Sequence, residues 1–103
     1  MDEQKTTKAD IIELIYLSSD ISKKDIRVVV DQLFEVLKDK LSQRAVIELR
    51  GFGTFELKQR KGREKARNPK TGEVVSVDSH CVVSFRSGKE LKRRVWNLQV
   101  EKK

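Results

Sequence analysis

Apolar residues recur at helical spacing in two early stretches of the chain and then switch to alternation, which divides it into a helical front and a strand-rich back. Thr7 with Asp10 three residues on has the form of a capping box. Ile11, Ile12, Leu14, Ile15 and Leu17 follow it, so a first helix is predicted from about Lys8 to Ser18. Ser19-Asp20 breaks it. Ser22 and Asp25 repeat the capping pattern and open a second helix from about Lys23 to Leu41. On that helix Ile26, Val30, Leu33, Leu37 and Leu41 form a central stripe, which Val29, Val36 and Phe34 widen to roughly 160° at ~100° per residue. The first helix can cover part of this stripe, which leaves the remainder for a sheet or a second subunit.

Val46-Ile47-Glu48-Leu49 reads as a short strand running into Arg50-Gly51-Phe52-Gly53-Thr54-Phe55-Glu56. Two glycines around a phenylalanine predict a tight strand-to-strand turn with the ring plugged inward, Gly51 and Gly53 letting the backbone bend or approach a ligand. It is not a dinucleotide fingerprint, because the third glycine and the following helix are absent. Beyond it Phe55 and Leu57 alternate with polar residues, and Val75, Val77, Cys81, Val83 and Phe85 return at period two. Between them lies Arg67-Asn68-Pro69-Lys70-Thr71-Gly72, which has turn chemistry: Pro fixes φ, Asn caps its own backbone, and Gly accepts positive φ. From Lys58 to Pro69 hardly a side chain is apolar, so these strands have no core to rest on and are predicted to project as an arm over about 58–78. Ser87-Gly88 then opens a third helix from Lys89 to about Leu98, with Leu91, Val95 and Leu98 along one face. Trp96 is read as a packing residue and 97–103 as a tail. The fold class is α+β in a single domain over 1–103: a helical hairpin, a three-stranded antiparallel sheet with a protruding β-arm, and a C-terminal helix.

Charge sharpens this picture. The 103 residues carry net +7, but residues 1–57 carry −2 and residues 58–70 alone carry +6; residues 71–88 add −1 and 89–103 add +4. Excess positive charge on the arm and the C-terminal segment is the footprint of a polyanion partner. A solvated basic run or a targeting signal has the same composition, and the turn chemistry at its centre favours the ordered reading. A chain this short buries only ~60–65% of its unfolded surface, and the arm takes no share of the core, so an oligomer is expected. The single cysteine, Cys81, excludes an intramolecular disulfide and is read as a small strand residue. One histidine, His80, with no carboxylate pair and no metal-ligand spacing, predicts no enzyme, metal or cofactor. No apolar run has membrane-spanning length and the N-terminus is polar, so neither a transmembrane helix nor a signal peptide is expected.

The order of two helices, GFGTFE, a basic arm, RNPKTGE and then SGKELK resembles the HU/IHF family of bacterial DNA-bending nucleoid proteins, from Thr7 to about Val95. The resemblance implies an intertwined dimer, a homodimer expected and a heterodimer the alternative, whose two arms wrap a DNA duplex. Function is then architectural: binding in the minor groove, bending and compacting DNA with low or moderate sequence specificity, in the cytoplasmic nucleoid. Leu33, Phe34, Leu37, Phe52 and Phe55 would form the shared dimer core. Residue by residue, Pro69 takes the position whose ring wedges between base pairs, with Arg67 and Asn68 beside it in the groove. A rigid apolar ring without an N–H donor suits such a gap, although the residues by themselves also fit a plain turn former. Lys58, Arg60, Lys61, Arg63, Lys65 and Lys70 become phosphate or groove contacts on the arm. On the body, Lys8, Gly51, Gly88 and Lys89 are expected to face the DNA backbone, the latter pair at a helix N-terminus.

The chain also departs from the family pattern. Between GFGTFE and RNP it carries one residue more than common members, within Glu64-Lys65-Ala66, which predicts either a bulge or side chains turned to the other face. Ala66 stands where Gly is usual, Asp20 replaces an inter-helix Gly, and Val83 replaces a Pro. An RNA-binding protein using the same basic hairpin is the rival reading, although A-form RNA offers a shallow minor groove and little to wedge.

Overall fold

The computed structural model describes residues 4–68 and 70–100, with the backbone alone described at 64–66 and 75. It divides into two compact units, one up to Asp39 and one from Lys40 onward.

In the first unit, capping chemistry sets both helix starts. The Thr7 N–H donates to Asp10 Oδ2 at 2.9 Å and the Asp10 N–H donates to Thr7 Oγ1 at 3.3 Å, completing the predicted box. The Thr7 backbone N–H foremost, and the Thr7 hydroxyl after it, hold the Asp10 carboxyl below its usual pKa. Helix α1 runs Lys8–Leu17, one residue short of expectation, because Ser18 turns back: its hydroxyl donates to Leu14 O at 2.9 Å. The Ser19 hydroxyl likewise donates to Ile15 O at 2.7 Å. With the last carbonyls served this way, no left-handed residue is needed, and Asp20 sits at negative φ where Gly is usual. Helix α2, Lys23–Ser42, starts with the Asp25 N–H donating to Ser22 Oγ at 3.2 Å. Ile12, Ile26 and Val30 form the core of this unit, with Ile15 packed against them. The rest of the α2 stripe stays open: Leu33 is 48% and Phe34 41% exposed, and Leu37 is half-buried.

The end of α2 closes on a left-handed residue. The Ala45 N–H donates to Lys40 O and the Arg44 N–H to Leu41 O, both at 3.0 Å, the paired bonds of a Schellman cap, with Arg44 at φ +64°. Glycine is the residue that takes this conformation without steric cost. Replacing Arg44 by Gly is expected to stabilise the fold by about 1 kcal/mol, a rise in Tm of roughly 4–8 °C for a domain of this size, readable by thermal unfolding.

The second unit is built on a sheet of order β1-β2-β5, with β1 Ile47–Leu49, β2 Gly53–Arg60 and β5 His80–Ser87, all antiparallel. The predicted turn joins β1 to β2: the Phe52 N–H donates to Leu49 O at 2.9 Å, with Gly51 at φ +86°. Gly53 is required by close approach, since a Cβ there would lie 2.4 Å from Arg86 O and 2.6 Å from the Phe85 ring. Alternation puts Phe55, Leu57, Val83 and Phe85 on one face and Glu56, Lys58, Ser84 and Arg86 on the other, where Arg86 pairs with Glu56 at 3.2 Å. Val83 keeps a regular ladder position opposite Leu57, so the strand runs straight through the site where Pro is usual. A second ribbon, β3 Arg63–Arg67 against β4 Val74–Val77, forms the predicted arm.

Two expectations are corrected here. Helix α3 spans Lys89–Val95 and stops short of Leu98, which folds back with its N–H donating to Val95 O at 3.1 Å. Trp96, expected to pack, is 79% exposed, because a seven-residue helix offers no apolar surface wide enough to cover an indole.

Candidate nucleic-acid interface

Lys58 and Arg60 leave β2 on its polar face, and with Lys61, Arg63, Arg67 and Lys70 they stand exposed along the arm. The outgoing stretch from Lys58 has hardly an apolar side chain to draw these cations inward, and Val74 and Val77 of the return strand are themselves exposed. At the arm base the two segments of the chain pass closely, and the Gly62 N–H donates to Ser79 Oγ at 3.1 Å. The register then steps by one residue between Arg63 and Ala66. Of the two outcomes the extra residue allowed, the structure takes the bulge.

The tip is wired through Asn68. Its N–H donates to Glu73 O at 2.7 Å, its carbonyl accepts the Gly72 N–H at 2.7 Å, and its side-chain oxygen accepts the Lys70 N–H at 2.9 Å. Gly72 provides the positive φ, +75°. Asn68, read as a groove contact, is thus also the residue that shapes the loop, with its side-chain amide nitrogen still able to donate outward. Pro69 lies outside the described residues, as does the side chain of Lys65.

On the body the four expected positions differ in availability. Lys89 is exposed at the first turn of α3, where no side chain caps the helix. Gly88 precedes it, but its own N–H already donates to Phe52 O at 2.8 Å, and a Cβ there would lie 3.2 Å from that oxygen, so its small size serves the contact with Phe52 and it offers no free amide. The Glu90 carboxylate stands over Gly51, where a Cβ would lie 3.1 Å from its Oε2. Lys8 is engaged: its ammonium pairs with Asp31 at 2.6 Å, both side chains about half exposed. The residues lie 23 apart on different helices, and no local pattern in the sequence marks the pair. DNA that uses Lys8 must displace Asp31. Asp31→Asn is therefore expected to tighten binding and steepen its salt dependence by roughly one unit, while the melting temperature barely moves because an exposed pair contributes little. A salt titration by fluorescence anisotropy beside a thermal melt checks both halves.

The residues assigned to a shared core fall in two open sets. Leu33, Phe34 and Leu37 line the uncovered side of α2. Phe52 and Phe55 meet a third ring from β5, Phe85, with centroid separations of 4.8 Å for Phe55–Phe85 and 5.2 Å for Phe52–Phe85. The cluster is not plugged inward as expected: Phe52 is 47% and Phe85 39% exposed, since one chain supplies too few apolar neighbours to close over them. Among the described residues no group of His, Cys, Asp or Glu is arranged to hold a metal ion, and no helix is long and apolar enough to cross a membrane.

Comparison with known proteins places this geometry. The family described as bacterial DNA-binding protein matches residues 6–96. Integration host factor subunit alpha of Aliivibrio fischeri is 42% identical over 96 residues, covering 93% of this chain and 97% of that protein. The same subunit of Xylella fastidiosa is 43% identical over 89 residues, covering 86% and 89%. Among solved structures, an Anabaena HU–DNA cocrystal structure superposes with a TM-score of 0.78 at 28% identity, covering 88% of this chain and 98% of that one. The helical hairpin, three-stranded sheet and cationic arm are those of one family, and this chain belongs to it: the HU/IHF family of bacterial DNA-binding proteins.

Proposed function

We propose that the protein works as a dimer whose two arms enter the minor groove of duplex DNA and bend it, compacting the nucleoid with low or moderate sequence specificity. The observation that carries this reading is the pairing of a cationic ribbon, whose Val74 and Val77 are themselves exposed, with two uncovered apolar surfaces. The ribbon has no use for a protein core, and the surfaces need one. Arm cations neutralise phosphates and release counterions, which supplies affinity without sequence information. Arg67, Asn68 and Pro69 at the tip would read groove shape, and an apolar wedge unstacks a base step and kinks the duplex. Lys8 and Lys89 would then hold the flanks of the bent duplex against the body. The whole chain acts as one DNA-binding domain, with no chemistry performed on the DNA.

A second copy of the same chain is one partner that fits the uncovered surfaces. A different second chain is the other, favoured by the relatives named as an alpha subunit. Mixing the protein with a pre-bent or nicked DNA duplex and competing with duplex RNA tests the function directly. Retention of the DNA complex over an excess of RNA is expected, and equal displacement would favour the RNA-binding reading. Sizing the protein alone and bound tells whether one kind of chain suffices.

A further inference from the structure

We propose that the extra residue of β3 is a curvature element, which turns the arm tip relative to the arm base and so sets the angle through which this protein bends DNA. The proposal rests on the arm-in-groove reading above. From Gly53 opposite Ser87 to Arg63 opposite Val77 the pairing keeps a single register. From Ala66 opposite Val75 to Arg67 opposite Val74 it is displaced by one residue. Glu64 and Lys65 together therefore stand opposite Ser76 alone, the two-against-one count of a β-bulge.

This arrangement has two consequences. It keeps Arg63 on the face of Val77 and Arg67 on the opposite face beside Val74; a slipped register would have turned Arg67 over. It also bends the strand, because a bulge adds local twist. The bend is transmitted to the tip because the ribbon is pinned on both sides of it. Before the bulge, a Cβ at Gly62 would lie 2.4 Å from Val77 O and 2.6 Å from Ser79 N, so the strands cross there without slack. After it, the Asn68 N–H bond to Glu73 O closes the tip.

The two bulge residues allow curvature to be separated from charge. Deleting Glu64 or deleting Lys65 restores a single register in either case, but one removes a negative and the other a positive charge. A third variant, with Ala inserted after Ser76, straightens the ladder and removes no charge. End-to-end energy transfer on a labelled duplex, measured with the full chain over a salt series, is expected to shift in the same direction and by the same amount for all three. Deletion of Lys65 is expected to lower the salt slope by roughly one unit more than the charge-neutral insertion does, the two sharing whatever slope goes with the bend. The same bend as the parent in all three variants overturns the proposal, and opposite shifts for the two deletions assign the effect to charge and overturn it as well. If the parent itself does not bind the duplex, the DNA reading fails first and the proposal falls with it, a result distinguishable from variants that bind but do not alter the bend. The insertion keeps the test decisive if either deletion fails to fold.

Discussion

Leu33→Asp is expected to abolish folding and association together. In a lone chain the substitution should be mild, since Leu33 is 48% exposed there and a carboxylate would remain solvated. In a dimer core the same charge is buried without a partner, at a cost of several kcal/mol against a total stability of roughly 5–15 kcal/mol. The size of the loss therefore reports whether the α2 face is covered in solution. Val28→Asp is the control, because Val28 is exposed on the opposite side of the same helix and should tolerate the charge in either case. Size-exclusion chromatography with circular dichroism reads both variants. A folded, monomeric Leu33→Asp protein would refute the dimer.

The second large effect separates affinity from bending. Neutralising Lys58, Lys61 and Lys65 together is expected to lower the salt slope of DNA binding by roughly two to three units, while the residual complex still bends. Pro69→Ala adds or removes no charge. It is expected to lose much of the bend, and with it any slope from contacts that only bent DNA can reach. Unstacking a base step costs a few kcal/mol, which the additional phosphate contacts of a bent duplex must offset. Energy transfer along a labelled duplex over a salt series resolves the two outcomes. Parental bending by Pro69→Ala would leave the residue as a turn former.

How much of the protein was legible before its structure depended on how local each determinant is. Capping at Thr7 and Ser22, the alternation through Phe55 and Phe85, and the turn at Asn68 and Gly72 involve neighbours within a few residues, so composition and spacing expressed them directly. The concentration of positive charge between Lys58 and Lys70 was equally plain, because a stretch with hardly an apolar side chain cannot be core. The sequence also placed the extra residue of the arm, but allowed two outcomes for it. Only the ladder decided between them, since register depends on the opposing strand and its fixed turn.

Tertiary structure alone decided the rest. The Lys8–Asp31 pair spans two helices. The third ring at Phe85 joined the Phe52 cluster only once β5 lay beside β2. Trp96 was misjudged for the same reason: an aromatic residue is buried only if enough surface surrounds it, and that surface is assembled from distant parts of the chain. Hydrophobic pattern thus determined which faces call for cover. The folded chain determined which of them it covers itself, Ile12, Ile26 and Val30, and which it leaves open, because close packing of a small core runs out of side chains before the α2 stripe ends.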